Sequence, residues 1–147
     1  MSAATQQGST AKITVEAAIK ADPRAVWVAW NNPEAIKKWN TAVETWHTTS
    51  STVDLREGGR FSSRMEAKDG SMGFDFAGTY TKVVEYRQID YRMEDGREVT
   101  NEFIEEGDSV RVKVTFDAEA ENSLEQQRYG WQAILDSFAR YVGGARA

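Results

Sequence analysis

The sequence predicts one α+β domain in which a long C-terminal helix covers a curved antiparallel sheet. Two observations lead to this prediction. From about residue 46 to residue 116 apolar and polar residues alternate, as they do in strands with one buried face. From Asn122, a predicted N-cap, to Gly143-Gly144 the apolar residues instead recur at helical spacing. The sheet is the only large apolar face that such a helix could cover.

The N-terminal part predicts one strand and two short helices. Lys12–Ile19 alternates apolar and polar residues, which favours a strand with one wet face. Asp22-Pro23 and Asn32-Pro33 each place a capping side chain before a proline at the first helical position, and the second helix is expected to end near Trp39. We expect residues 1–10 to be a disordered tail and residues 11–143 to form the domain.

The predicted sheet is a meander of about six to seven strands, with a strand at Thr48–Leu55 and short turns between the later strands. Glycine-containing turns are expected at Gly58-Gly59, Asp69-Gly70, Asp95-Gly96 and Gly107-Asp108. The alternating sets between these turns are Phe61 to Met65, Met72 to Tyr80, Ile89 to Met93, Val99 to Phe103 and Val110 to Phe116.

The C-terminal helix is expected to bury one stripe of side chains against the sheet. The stripe consists of Leu124, Arg128, Trp131, Leu135, Phe138 and Val142, widened by Ile134 and Tyr141. Arg128 is its one charged member.

Composition excludes several classes of function. The 147 residues include 18 Lys and Arg against 23 Asp and Glu, a net charge of −5, without a basic run, so a nucleic-acid partner is not expected. There is no cysteine and only one histidine, which argues against disulfides and metal sites, and no cofactor is predicted. Without an apolar leader or membrane-spanning run, the chain is predicted to be cytoplasmic and free of the membrane.

Several short sequence motifs resemble those of a known protein family. They are Asp22-Pro23 leading to Val26-Trp27, Pro33-Glu34 leading to Trp39, the run 54–61 (DLREGGRF), the run 65–70 (MEAKDG), Gly78-Thr79-Tyr80 and Gly130-Trp131-Gln132. In this order they resemble the heat-shock-protein-90 ATPase activator homologue family, within the START-like (SRPBCC) superfamily. The resemblance covers about residues 13–142 and implies the helix-grip fold, in which a curved sheet wraps around the terminal helix.

The resemblance implies a cavity more clearly than a reaction. Superfamily relatives bind lipids, sterols, polyketides or aromatic metabolites, and some catalyse cyclisation or dehydration in the same pocket. In eukaryotic co-chaperones a domain of this family follows a separate chaperone-binding domain, for which we expect this chain to have no room. A chaperone partner is thus possible but not supported by the sequence, and the protein is expected to be a monomer or homodimer.

Aromatic side chains on the predicted inner face could wall a ligand pocket or could simply pack together. The residues concerned are Phe61, Phe74, Phe76, Tyr80, Tyr91, Phe103 and Trp131, with Met65 and Leu135 beside them. Aromatic stripes at strand spacing are usually core, but the resemblance favours the cavity.

Polar residues at inward positions are the candidates for orienting a ligand, because a buried polar group without a partner costs about 1–3 kcal/mol. Asn101, Ser63 and Arg128 are predicted to point into the interior, and Asn101 and Tyr91 could orient a carbonyl or hydroxyl. Arg128 could pair with a carboxylate or enolate, or could reach solvent along the edge of the stripe. Asn101 could equally make a structural hydrogen bond.

Trp46 and His47 are expected near the cavity mouth, where the helical hairpin meets the sheet. His47 is the only side chain with an unperturbed pKa near neutrality, but the sequence places no nucleophile or carboxylate with it, so no catalytic residue is assigned. The leading hypothesis is a protein that binds a small hydrophobic or aromatic molecule with one polar group. The alternatives are a cyclase or dehydratase using His47, Tyr91 or Arg128, and a stress-linked co-chaperone-like module.

Overall fold

The computed structural model describes residues 11–41 and 43–144, so the predicted tail at residues 1–10 lies outside it. Seven strands and three helices follow one another in the described chain. In order they are β1 (Lys12–Ile19), α1 (Pro23–Asn31), α2 (Pro33–Trp39), β2 (Trp46–Val53), β3 (Arg60–Ala67), β4 (Gly73–Val84), β5 (Gln88–Met93), β6 (Glu98–Glu106), β7 (Ser109–Asp117) and α3 (Leu124–Gly144).

The strands form one antiparallel sheet in the order β1-β7-β6-β5-β4-β3-β2. From β2 to β7 the sheet is a simple meander. β1 adds an edge strand by pairing with β7 along its whole length, from Lys12 opposite Asp117 to Ile19 opposite Val110. Register shifts between Thr48 and Ser50 and between Tyr80 and Lys82 mark irregularities of the kind that bend strands. The predicted α+β helix-grip fold is confirmed.

The two short helices begin where the sequence predicts. Asp22 accepts a hydrogen bond from the backbone N–H of Ala25 at 2.8 Å, and Asn32 accepts one from the N–H of Glu34 at 2.8 Å. The indole N–H of Trp39 then donates to the carbonyl of Ala29 at 2.9 Å, which holds α2 against α1. Of the helices among the described residues, none combines the length and apolarity needed to cross a membrane.

The cap of α3 is Ser123, and the prediction of Asn122 is wrong. The Ser123 hydroxyl accepts from the N–H of Gln126 at 3.0 Å, while the Gln126 side chain accepts from the N–H of Ser123 at 3.1 Å. This reciprocal pair is a capping box, in which the side-chain oxygen of each residue accepts from the backbone N–H of the other. Asn122 instead donates its N–H to Glu119.

The first turn of the buried stripe on α3 also differs from the prediction. Arg128 and Leu124 are exposed, and Gln127 is buried in their place. The Gln127 amide accepts from the N–H of Glu119 at 2.8 Å and donates to the carbonyl of Asn122 at 2.8 Å. These bonds tie the loop after β7 to α3, which explains how a polar side chain occupies a core position.

Two strand boundaries differ from the predictions. β2 begins at Trp46 and ends at Val53, two residues earlier at each end than predicted, because its pairing with β3 starts with Trp46 opposite Ala67. β4 begins at Gly73, so Met72 lies before the strand and is 64% exposed. Met72 thus takes no part in the alternation that it was predicted to begin.

Candidate functional site

A cavity of about 270 Å³ lies between the inner face of the sheet and the helices. Its wall is largely aromatic and aliphatic, with a few neutral polar groups. Ten of the residues predicted to bind a ligand line it. The apolar ones are Phe61, Met65, Phe74, Phe76, Trp131 and Leu135, and the polar ones are Ser63, Tyr80, Tyr91 and Asn101.

The cavity exists because the helices are fixed at opposite edges of a wide sheet. Seven strands spaced about 4.8 Å apart span roughly 29 Å, whereas one helix covers about 10 Å. The Gln132 amide donates to the carbonyl of Glu16 at 2.9 Å, which holds α3 over β1. At the other edge the Thr48 hydroxyl donates to the carbonyl of Asn40 at 2.7 Å, which holds the end of α2 over β2. The cavity lies over the central strands, between these two attachments.

Four predicted site residues lie outside the cavity wall, for three reasons. Arg128 is exposed, so the expectation that it points into the interior is wrong. Phe103 packs edge-on against Trp27 at 5.4 Å and Trp30 at 5.5 Å, and so belongs to the filled end of the core. Trp46 and His47 are half-buried on β2 and do not line the cavity.

The neighbours of Trp46 and His47 explain their positions. The ring of Trp46 lies 5.9 Å from that of Phe74, which lines the cavity and is 50% exposed. Phe74 is therefore the aromatic residue at the mouth, and Trp46 packs beside it without lining the cavity. His47 is next to the inward-facing Thr48, so strand alternation turns it toward the opposite face of the sheet.

Trp131 is a residue of α3 that both lines the cavity and packs against the sheet. Its indole stacks on Phe116 at a centroid distance of 3.9 Å and an interplanar angle of 10°, and meets Phe76 edge-on at 6.3 Å. Phe116 is fully buried. The stacked pair fixes one end of the roof, because the Trp131 ring is held by the face of Phe116 and by the edge-on contact with Phe76.

A cluster of aromatic rings from the central strands forms the floor. Phe61 contacts Tyr91 edge-on at 4.6 Å and Tyr80 at 5.3 Å. Gly78 lies directly opposite Phe61, and a Cβ there would be 2.9 Å from the Phe61 ring and 2.6 Å from the Arg92 carbonyl. Glycine is therefore required at residue 78 for the Phe61 ring to lie across β4.

Hydrogen bonds within the protein hold several of the side chains in and around the cavity wall. The hydroxyl of Ser63 lies 3.2 Å from that of Ser51, and Thr48 donates to the sulfur of Met65 at 3.2 Å. Asn101 is 1% exposed and donates its amide N–H to the carbonyl of Ile89 at 3.0 Å. These bonds fix the rotamers of the side chains around the cavity.

Tyr80 and Tyr91 present phenols to the cavity from adjacent strands. They lie directly opposite each other in the register of β4 and β5. Burial, together with the charge of Asp54, raises the pKa of Tyr80 above its usual value. Burial, together with the neighbouring Tyr80, raises the pKa of Tyr91, against a smaller opposing effect of Arg97. Both phenols therefore stay neutral and able to donate hydrogen bonds.

The raised pKa values predict how alkaline pH affects the fold. An unfolded tyrosine ionises near pH 10, whereas Tyr80 and Tyr91 hold their protons to higher pH in the folded chain. The folded state then binds more protons than the unfolded state, so the free energy of unfolding falls as pH rises above about 10 and is unaffected by these groups below it. Tyrosinate absorbance should show Tyr80 and Tyr91 ionising only at a pH at which circular dichroism shows the chain unfolding. Ionisation of these two phenols near pH 10 in the folded chain would contradict this prediction.

The cavity is also lined by nine residues that were not predicted from the sequence. Those above the sheet are Trp30, Asn31, Ile36, Trp39, Asn40 and Ile134, and those on the strands are Val53, Ile89 and Val114. The strand residues could have been found from register, because Ile89, Asn101 and Val114 lie opposite one another on β5, β6 and β7. The helix residues had no such signal, since capping and packing already explained them.

The family follows from comparison of the chain with known proteins. Residues 20–143 match the family model for the Activator of Hsp90 ATPase homolog 1-like protein. The chain belongs to this family. No curated protein matches the chain.

Solved structures share the fold of the chain, and the first two described here also share much of its sequence. An AHSA1-like protein from Aeromonas hydrophila, solved by solution NMR, is 51% identical, with a TM-score of 0.87 over 92% of this chain and 94% of the relative. A protein from Cytophaga hutchinsonii, also solved in solution, is 44% identical, with a TM-score of 0.80 over 92% and 94% of the two chains. A Chromobacterium violaceum protein at 22% identity and a TM-score of 0.79 covers 90% of this chain and 96% of its own, and shows the fold alone.

Proposed function

We propose that this member of the Activator of Hsp90 ATPase homolog 1-like family binds a small hydrophobic or aromatic molecule in the cavity between the sheet and α3. The observation that supports the proposal is the unfilled space of about 270 Å³ under Trp131, lined mainly by aromatic and aliphatic side chains. Protein cores are normally packed without voids of this size, because each missing contact costs stability. A space kept open by well-fixed neighbours is suited to a ligand.

The volume limits the size of the ligand. An apolar cavity of about 150 Å³ takes up benzene, so a cavity of about 270 Å³ suits a molecule of two fused rings or a similar bulk. Its half-exposed mouth at Phe74 gives a route for binding. Long acyl chains would not fit completely within this space.

The geometry supports binding more directly than it supports a reaction. Of the three residues considered for handling protons, Tyr91 alone lines the cavity, because His47 and Arg128 lie elsewhere. Tyr91 has a raised pKa, so it holds its proton firmly and is poorly suited to act as a base near neutral pH. Its expected role is to donate a hydrogen bond.

Thermal unfolding with a panel of two-ring aromatic compounds tests the proposal. A compound present at about 100 times its Kd adds about 2.7 kcal/mol to the free energy of unfolding, which raises Tm by roughly 5–10 °C for a domain of this size. Trp131→Ala and Phe76→Ala should abolish the shift, because the two residues form adjoining walls of the cavity.

Tyr129→Ala is the matched control for the Trp131 variant. Tyr129 lies two residues away on α3, is 75% exposed and does not line the cavity. Its loss should leave the ligand-induced shift unchanged. If no compound in a broad aromatic panel stabilises the protein, or if Tyr129→Ala weakens the shift as much as Trp131→Ala does, the proposal is wrong.

A further inference from the structure

The wall of the cavity carries no charge. Among the described residues that line it there is no Lys, Arg, His, Asp or Glu, and its polar members are asparagine, serine and tyrosine. An ion that entered this space would lose its hydration without gaining a counter-charge, which costs several kcal/mol. The cavity therefore selects against carboxylates and ammonium groups.

Asn101 places a hydrogen-bond acceptor in the floor of the cavity. Its amide N–H donates to the Ile89 carbonyl, and this bond fixes which end of the amide is nitrogen and which is oxygen. Among the described residues, the hydrogen bonds of this side chain include no donor to its oxygen Oδ1. Every fully enclosed side-chain nitrogen or oxygen among the described residues has a hydrogen-bond partner. Oδ1 is therefore not fully enclosed and accounts for part of the 1% exposure of Asn101. Because Asn101 lines the cavity, this oxygen faces it.

The two phenols complement this acceptor. Tyr91 lies opposite Val99, two residues from Asn101 on β6, so Tyr91 and Asn101 are diagonal neighbours on one face, roughly 7–8 Å apart. Among the described residues, neither the Tyr80 nor the Tyr91 hydroxyl forms a hydrogen bond, neither is a fully enclosed unpartnered atom, and both side chains line the cavity, so both hydroxyls are available to a ligand. A ligand hydroxyl could donate to Asn101 while it accepts from a phenol.

We propose that the natural ligand is an uncharged aromatic compound with a hydroxyl or N–H group, and that Asn101 selects it by accepting a hydrogen bond from that group. This inference rests on the proposed function. A ligand without a donor would bury Oδ1 and remove any water bound there, leaving an acceptor unsatisfied. Sites that bind a substrate hydroxyl in this way reject analogues that lack it far more strongly than apolar walls reject a missing methylene.

Three probes of nearly equal size test the inference on the wild-type protein by calorimetric titration at pH 7. They are 2-naphthol, its methyl ether 2-methoxynaphthalene, and 2-naphthoate. The methyl ether keeps the rings and the acceptor but lacks the donor, and the naphthoate carries a charge. We expect 2-naphthol to bind about tenfold or more tightly than either of the others.

Variants then assign the discrimination to one side chain. Asn101→Leu keeps the branched shape and the number of heavy atoms without the acceptor, and should reduce the preference for 2-naphthol over its methyl ether to within about twofold. Asn101→Ser serves the same purpose if the leucine variant fails to fold. Glu102→Gln, on the adjacent outward-facing position of β6, should keep the wild-type preference.

The outcomes separate this inference from the proposed function. Equal affinities of the wild type for 2-naphthol and its methyl ether would overturn the role of Asn101 while leaving the proposed function intact. Tighter binding of the naphthoate would overturn the claim of an uncharged ligand. An unchanged preference in both Asn101 variants would also overturn the assignment. If none of the three probes nor the aromatic panel binds, the proposed function itself fails.

Discussion

Replacing Phe138 with alanine should lower the free energy of unfolding by about 3–5 kcal/mol. Phe138 is fully buried and meets Trp30 edge-on at 4.9 Å and Trp39 edge-on at 4.8 Å. These contacts join α3 to α1 and α2, so the substitution removes a buried ring together with its packing against both shorter helices. Urea unfolding followed by circular dichroism measures the loss.

Tyr141→Ala is the control for this prediction. Tyr141 lies on the same helix three residues later and is 37% exposed, so its truncation should cost less than about 1 kcal/mol. A loss below about 1.5 kcal/mol for Phe138→Ala, or a similar loss for both variants, would mean that the helices do not form the tightly packed cluster described above.

Replacing Ser63 with phenylalanine should abolish binding of two-ring aromatic compounds with little change in stability. Ser63 is buried and faces the cavity from the middle of β3. A phenyl ring there would occupy a large part of the roughly 270 Å³ that a ligand needs. We expect the Kd to rise more than tenfold, while the free energy of unfolding changes by less than about 1 kcal/mol, because added apolar contacts offset the lost hydrogen bond to Ser51.

In a filled core the same substitution would be strongly destabilising. Forcing a large ring into well-packed surroundings typically costs 1–3 kcal/mol, so stability and binding together distinguish a cavity from a core. Ser62→Phe is the matched control, because the side chain of Ser62 lies on the opposite face of β3 from that of Ser63 and does not line the cavity. Retained ligand affinity in Ser63→Phe would contradict the position of the site.

Local signals in the sequence predicted the starts of the two short helices well. Asp22 and Asn32 each precede a proline, and both side chains cap their helices as expected. Strand alternation likewise predicted that Phe61, Ser63 and Met65 share the inner face of β3. These features depend on neighbours a few residues apart, which the sequence shows directly.

Features that depend on tertiary contacts were predicted less well. Arg128 and Gln127 are adjacent on α3, and helical spacing from Trp131 is compatible with either of them in the buried stripe. Gln127 is buried because the loop after β7 supplies backbone partners for its amide, at Glu119 and Asn122. Phe103 also follows the inward alternation of β6, but Trp27 and Trp30 cover it. Which end of the inner face is filled depends on where α1 packs.

The most direct test of the ligand cavity is a methyl NMR titration of the intact protein with 2-naphthol. Aromatic rings shift the resonances of methyl groups within a few ångströms of their faces. A ligand in the cavity should shift together the methyl resonances of Ile89, Val114 and Leu135, which line it. The exposed methyl groups of Val28 and Ile104, which do not line it, should stay unchanged. No shift at the three cavity residues, or shifts confined to the exposed ones, would contradict the account.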